Sequence, residues 1–174
     1  MLTLFLLRHA KSSWNDPILD DYERPLNARG KRSAPVIGAY MEEHRYDPKL
    51  ILCSGSRRTR ETLGLILPYL HNDAEILLEE TMYAAHDGEA LLQRLHALGH
   101  GPEKVMLIGH NPAVQDLTTR LCEEGDETAL SRLRQKYPTG ALSVIQLDAV
   151  NWRDAGSTPG RLIDLALPRE ILAE

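Results

Sequence analysis

Two histidines and a scatter of arginines stand where this sequence could do phosphate chemistry. Each group lies just past a short apolar run. Leu2–Leu7 ends in Arg8-His9-Ala10-Lys11-Ser12-Ser13-Trp14-Asn15. Leu50–Cys53 leads into Ser54-Gly55-Ser56-Arg57-Arg58-Thr59-Arg60-Glu61-Thr62, and Lys104–Ile108 leads into Gly109-His110-Asn111-Pro112. Guanidinium groups grip phosphate oxygens with paired donors and keep their charge at every physiological pH. Singly, each signal is weak: an arginine after a strand ordinarily pairs with a carboxylate or lies in solvent, and a histidine before a helix is ordinarily a spacer. Three junctions with one chemistry point instead to a shared anion site. So does a pair, Arg8 and His9, that ends an otherwise apolar run.

Something must bring these junctions together. Short apolar runs alternate with stretches of period near 3.6, which predicts an α/β domain: a three-layer α/β/α sandwich around a mostly parallel sheet of about six strands. The strands are Leu2–Leu7, Leu50–Cys53, Glu75–Leu78, Lys104–Ile108, Ala141–Leu147 and, more weakly, Arg161–Leu165. The loop Asn151–Gly160 suits a hairpin better than a crossover, so one strand is expected to run antiparallel. Helical faces carry Ile37, Tyr40 and Met41; Leu63, Ile66, Leu67 and Leu70; Leu91, Leu92, Leu95 and Leu98; and Val114, Leu117 and Leu121. Gly88–His100 is expected to be mostly helix, and Asp126–Lys136 a further, more polar one. In a parallel sheet the three junctions share the carboxyl edge, where open α/β sheets bind ligands. Asn111 suits an N-cap and Pro112 a first helical position, which sets His110 before a helix N-terminus. Ser54 or Ser56 is expected to cap the second helix. That leaves Arg57, Arg58 and Arg60 in a first turn where the dipole disfavours cations, unless an anion lies between them.

Composition bounds the rest. The chain has 174 residues, 43% hydrophobic and 26% charged, enough for one domain spanning 1–174 with a single core. Twenty Lys and Arg stand against 25 Asp and Glu, a formal charge of −5. That balance, with one Phe, two Trp and six Tyr, argues against nucleic acid as a partner. No apolar run approaches the ~20 residues that span a bilayer, so no membrane is expected. The apolar start meets Arg8 at once and reads as a buried strand rather than a signal peptide. Cys53 and Cys122 sit in apolar stretches and form no disulfide framework, so a reducing, cytoplasmic location is expected.

Arg8-His9-Ala10 resembles the Arg-His-Gly signature of the histidine phosphatase superfamily, the phosphoglycerate mutase-like proteins. Lys11 through Asn15 follows the Ser-x-Trp-Asn continuation common there. Arg24-Pro25-Leu26-Asn27 with Gly30 resembles the element that opens the first helix. Ser54 through Thr62 resembles Ser-Pro-x-x-Arg-Ala-x-Gln-Thr, with the second arginine at Arg58, and Gly109-His110-Asn111-Pro112 resembles the second-histidine motif. Ala10 stands for Gly, Gly55 for Pro and Glu61 for Gln. The form Arg-His-Ala-Lys-Ser-Ser-Trp is similar to that of the small phosphohistidine phosphatases of the superfamily. The resemblance implies a phosphoglycerate mutase-like fold and catalysis without metal or cofactor. His9 would form a phosphohistidine intermediate. Arg8, Arg58 and His110 would hold the oxygens, with a further donor from Asn15. Leu78–Tyr83 resembles the segment supplying an acid/base carboxylate, which would be Glu80. The other reading of Glu80 is a solvated side chain beside Glu79.

Only 20 residues separate Tyr83 from Lys104, most of them helical, so no basic insertion is available to grip a second carboxylate or phosphate. An open site suits phosphohistidine presented on a protein. A small-molecule phosphomonoesterase is the second reading. A phosphate-binding module without turnover is a third, and a binder has no need of two histidines.

Overall fold

The computed structural model describes residues 1–71 and 73–173. Its architecture follows from strands that are apolar on both faces. Along β1 (Leu2–Arg8), Leu2, Leu4 and Leu6 enter one core while Phe5 and Leu7 enter the other. β2 (Leu50–Ser54) divides Leu50 and Leu52 from Ile51 and Cys53. β4 (Lys104–Gly109) divides Val105 and Leu107 from Met106 and Ile108. Strands buried on both faces need helices on both faces. α1 (Ala28–Glu43) and α2 (Arg57–Ile66) cover one with Ile37, Met41, Leu63 and Ile66. α4 (Gly88–His96), α5 (Ala113–Leu121) and α6 (Glu127–Gln135) cover the other with Leu91, Leu95, Val114, Leu117, Leu130 and Leu133. The result is the expected three layers.

The remaining strands are β3 (Glu75–Glu79), β5 (Cys122–Glu124), β6 (Leu142–Leu147) and β7 (Gly160–Ala166). The order is β3-β2-β4-β1-β6-β7-β5. β6 lies antiparallel to both β1 and β7, and every other pair is parallel. One antiparallel strand was expected, and β6–β7 is the expected antiparallel pair. The seventh strand, β5, was not: it has three residues, two of them exposed glutamates, so it shows no alternation. Short helices α3 (Glu80–Ala84) and α7 (Pro168–Ile171) complete the chain.

Two helix boundaries differ from expectation. The helix from Gly88 stops at His96 rather than His100, and the chain then turns through Gly99, whose φ of +55° favours glycine. α5 begins at Ala113, with Pro112 as its N-cap and no side-chain cap bond. Asn111 stands one residue outside the N-cap: its Nδ2 donates to the Tyr137 carbonyl at 3.1 Å, while its Oδ1 still accepts from the first-turn Gln115 N–H at 3.3 Å.

Tyr137 ties the layers to the site. Its ring is fully buried, its hydroxyl donates to the Leu6 carbonyl of β1 at 2.7 Å, and it lies 2.8 Å from Ser143 Oγ. Its carbonyl accepts from Arg8 Nη1 at 2.8 Å. Removing the hydroxyl leaves buried partners unmatched, which ordinarily costs about 1–3 kcal/mol. Tyr137→Phe is therefore expected to lower the urea midpoint at unchanged m-value, and an unaltered midpoint would show that these bonds contribute nothing net.

Candidate active site

Sheet register brings the junctions level. Arg8 pairs with Gly109, Cys53 with Ile108, and Ser54 with Glu79. Four adjacent strands thus end together, and the residues that follow them share one edge. The His9 and His110 ring centroids lie 5.3 Å apart, close enough to flank one phosphoryl group.

The loop after β1 is held from two sides. Gly30, at the start of α1, packs so close to the Lys11 carbonyl that any side chain there would collide with it. The Asn27 N–H donates to the same carbonyl at 3.0 Å, and Asn27 Oδ1 caps α1 through the Gly30 N–H at 2.9 Å. Arg24 donates to Ser12 Oγ and, from Nε, to the Ser13 carbonyl at 3.1 Å, and its guanidinium lies 3.2 Å above the Trp14 ring. From α2, Thr62 Oγ1 accepts from the Ala10 N–H at 3.0 Å, and Glu61 Oε2 accepts from the Leu26 N–H at 2.8 Å. Glu61 acts only as an acceptor here, so the change from glutamine costs no bond. The Ala10 methyl packs with Leu26 and Ala34, which gives it a place where the related signature has glycine.

His9 is 6% exposed, and its Nδ1 lies 2.7 Å from the Ala10 carbonyl. A carbonyl only accepts, so Nδ1 carries the proton and Nε2 keeps its lone pair. Burial, opposed by the Ala10 bond and reinforced by His110, Arg58 and Arg8, lowers the His9 pKa to about 3. His110 is assigned by the same logic. Arg58 Nη2, always a donor, lies 3.2 Å from His110 Nδ1, so Nδ1 accepts and Nε2–H donates to Ser54 Oγ at 2.7 Å. Burial and then Arg58 lower its pKa to about 4. Both imidazoles are neutral at pH 7.

The arginines are anchored by their outer nitrogens. Arg8 Nη1 is held by Tyr137, and Arg58 donates from Nη1 to the Asp21 carbonyl at 2.7 Å and from Nη2 to Asp21 Oδ2 at 3.0 Å. Arg8 Nε and Arg58 Nε are buried with no hydrogen-bond partner among the described residues. A buried cationic donor left unmatched is costly. Here there are two, on the cations whose fields reach both histidines. An anion is the partner they fit.

Asp21 is the site residue that the sequence did not reveal. Beyond Arg58, it accepts from Arg24 Nη1 at 2.9 Å and Tyr83 Oη at 2.8 Å. Burial opposes its ionisation, yet bonds from Tyr83, Arg24 and Arg58 outweigh that and hold its pKa near 2. It sits in the aperiodic stretch Asp20-Asp21-Tyr22-Glu23; the available signal was the rule that an arginine after a strand seeks a carboxylate. Tyr83 packs edge-on against both Tyr22 and His110. Glu80 lies exposed at the start of α3, where Oε1 accepts from Tyr22 Oη at 2.5 Å. A Cβ at Gly55 would collide with both of these groups, so glycine leaves room for the pair where the related motif has proline.

Arg8, His9, Arg58 and His110 are thus brought together, with Glu80 beside them over Gly55. Asn15 is not gathered in: it is exposed, and its backbone N–H donates to Ser13 Oγ at 3.1 Å. Nor do three arginines of α2 enclose an anion. Arg57 pairs with Glu61 at 2.9 Å, and Arg60 Nε donates to the Gly55 carbonyl at 2.8 Å. Helix periodicity turns those two away from Arg58. Ser56 occupies the N-cap of α2 without a side-chain cap bond, its hydroxyl lying 2.7 Å from Thr59 Oγ1 instead. Among the described residues, no group of three or more His, Cys, Asp or Glu is placed to hold a metal ion.

The sequence model of the histidine phosphatase superfamily (branch 1) matches residues 4–90. An uncharacterised chloroplastic protein of Arabidopsis thaliana is 30% identical over 165 residues, covering 90% of this chain and 72% of that one. The crystal structure of a candidate phosphohistidine phosphatase SixA from Agrobacterium tumefaciens is 31% identical, with a TM-score of 0.80 over 96% of this chain and 98% of that one. A candidate alpha-ribazole-5'-P phosphatase from Escherichia coli, 17% identical, shares the fold at a TM-score of 0.60 over 97% and 98%.

The tautomers are directly measurable. Nitrogen-15 imidazole spectra at pH 5 are expected to show both rings neutral, His9 protonated at Nδ1 and His110 at Nε2; an imidazolium at either position would refute the assignment. Linkage gives a matching sign. Unfolded histidine binds its proton near pH 6.5 and these two do so near 3 and 4. Their contribution to stability is complete above about pH 6.5 and is lost as pH falls towards 3.

Proposed function

The chain belongs to the histidine phosphatase superfamily (branch 1), and from that membership and the pocket we propose a phosphatase that works through phosphorylated His9 and acts on phosphohistidine carried by a protein. The observation that carries the catalytic half is the His9 tautomer, with Nδ1–H held by the Ala10 carbonyl and Nε2 free. Nε2 attacks phosphorus, the Nε2–P bond forms, and the bond to the departing nitrogen or oxygen breaks. No base is required, because the attacking atom carries no proton. The ring gains positive charge as the bond forms, and the Ala10 carbonyl, already aligned with Nδ1–H, stabilises it. Arg8 and Arg58 hold the equatorial oxygens, their Nε donors finding the partner they lack. Water then attacks phosphorus, releases inorganic phosphate and returns Nε2 to its free form.

His110 requires one adjustment in this scheme. Its Nδ1 accepts from Arg58 in the free pocket. To donate to a phosphoryl oxygen it must carry a proton there. Ser54 Oγ can either accept from or donate to Nε2, so it allows the ring to take the Nδ1–H tautomer when the anion arrives.

The choice of substrate rests on what surrounds the pocket. Only α3 and α4 fill the stretch between β3 and β4. Similarity to the Agrobacterium structure is greater, at 0.80, than to the Escherichia coli one, at 0.60. An imidazole leaves phosphorus more readily than an alkoxide, so Glu80 as general acid matters most for esters.

A panel of phosphohistidine peptide, 3-phosphoglycerate and p-nitrophenyl phosphate tests this. Phosphohistidine is expected to give the highest kcat/KM; preference for 3-phosphoglycerate would favour the small-molecule reading. His9→Ala is expected to abolish turnover while retaining oxyanion binding, and near-normal activity would sink the mechanism. Arg58→Ala is expected to damage both, with about 10²–10³ lost in rate. Glu80→Gln is expected to spare phosphohistidine while costing about 10²-fold or more on alkyl phosphates. Equal losses on the two substrates would make Glu80 a positioning residue rather than a proton donor.

A further inference from the structure

A cavity of about 910 Å³ adjoins the catalytic pocket, with Arg8 in its wall. Lys11, Arg29, Arg32, Lys136 and Arg169 also line it. They come from four separate places: the loop after β1, the first turns of α1, the loop after α6, and α7. Arg132 lies there too, ion-paired with Glu170. The five others make no ion pair among the described residues. The fold gathers this charge from positions dispersed along the sequence.

This charge is out of keeping with the molecule as a whole, whose formal balance is −5. Exposed lysines and arginines ordinarily interleave with carboxylates. Here five cations crowd one wall and repel one another, and complementary negative charge would relieve that. At physiological salt the Debye length is about 8 Å, so a partner in the cavity feels these five groups more than the distant acidic surface. Pro138, Leu167, Pro168 and Leu172 add apolar lining to the same cavity. Acidic side chains interspersed with aliphatic ones match such a surface, whereas a small polyanion would leave the apolar wall unused.

We propose that this cavity is a docking site for an acidic, partly apolar segment of the phosphoprotein substrate, lying beside its phosphohistidine. The inference rests on the phosphoprotein reading above and adds a specificity to it. Arg8 joins the two sites: it faces the phosphoryl group from one side and the flanking segment from the other. A protein whose phosphohistidine enters the pocket must lay the adjoining surface across this rim. The cavity therefore selects among phosphoproteins by the charge of the flanking residues, while the chemistry at His9 stays the same.

The first measurement needs no turnover. A fluorescein-labelled, unphosphorylated peptide rich in Asp, Glu and Leu is titrated with the intact chain and followed by anisotropy. Binding is expected to weaken about tenfold or more in Arg29→Glu/Arg32→Glu/Arg169→Glu, since several exposed charge pairs are lost together. It is also expected to weaken with added salt. The three positions are exposed and lie outside the catalytic pocket, so kcat and KM for p-nitrophenyl phosphate are expected to stay within twofold, on the order of error. Arg29→Gln/Arg32→Gln/Arg169→Gln gives a milder version of the same loss. Absence of binding, or equal binding by wild type and variant, overturns the proposal. ATP or a single-stranded RNA displacing the peptide at lower concentration would assign the cavity to another class of anion and overturn it as well. The second measurement compares phosphohistidine in acidic and neutral peptides: wild type is expected to prefer the acidic one about tenfold in kcat/KM, and the variant to lose that preference. Failure of the phosphoprotein reading looks different. Neither phosphohistidine peptide is then turned over, while the anisotropy still distinguishes wild type from variant.

Discussion

The hydrogen bond between His9 Nδ1 and the Ala10 carbonyl is the constraint on which the rest of the site depends. It chooses the tautomer, leaves Nε2 as the free nitrogen, and supplies an acceptor for the charge that the proposed phosphorylation of Nε2 would create. To serve in the proposed role, an imidazole so arranged must also stay neutral among cations. Burial contributes most to that, with His110, Arg58 and Arg8 reinforcing it. The price is that a short loop at the end of a strand has to be rigid. Its rigidity comes from the neighbouring elements: Asn27 and Gly30 on the Lys11 carbonyl, Arg24 on Ser12 and Ser13, and Thr62 on Ala10.

The same economy runs through the second arginine. Asp21 holds Arg58 by both its carbonyl and its carboxylate, and Arg24 and Tyr83 hold Asp21 in turn. A carboxylate beside this cation opposes an incoming anion in charge. What it gains is position, because a fixed guanidinium needs no reorganisation when an anion arrives. The Nε donors remain available on both arginines. Three departures from the related motifs fit this scaffold. Ala10 packs on Leu26 and Ala34, Gly55 leaves space for Tyr22 and Glu80, and Glu61 accepts from the Leu26 N–H.

Strand register links these local arrangements to the core. Arg8 and Gly109 are paired, and Ser54 and Glu79 are paired, so chemistry from residues far apart in sequence meets at one level. Tyr137 closes the arrangement from the late part of the chain: its ring is fully buried, its hydroxyl reaches β1 at Leu6, and its carbonyl fixes Arg8. The basic cavity grows from the same convergence, since Lys136 next to Tyr137 and Lys11 next to Ala10 line a wall that includes Arg8.

The sequence by itself determined the layers, the long strands and the central quartet. The near-continuous apolar runs Leu2–Leu7 and Lys104–Ile108 are a local property of strands buried on both faces, and a histidine or arginine ending such a run is visible without coordinates. It did not determine β5, which is too short and polar to show a period, nor the place where the helix from Gly88 stops. Among the arginines of α2, spacing in sequence suggested three ligands, and the turn of the helix left one facing the site. The Tyr137 carbonyl was invisible because no side-chain type or local pattern marks it, and Asp21 was one carboxylate among many that could have answered an arginine; their roles arise from contacts across 129 and 37 residues of chain. The five cations of the cavity were equally illegible, each an ordinary surface residue where it stands. Only packing brings them to one wall, because electrostatic fields add in space and not along the sequence.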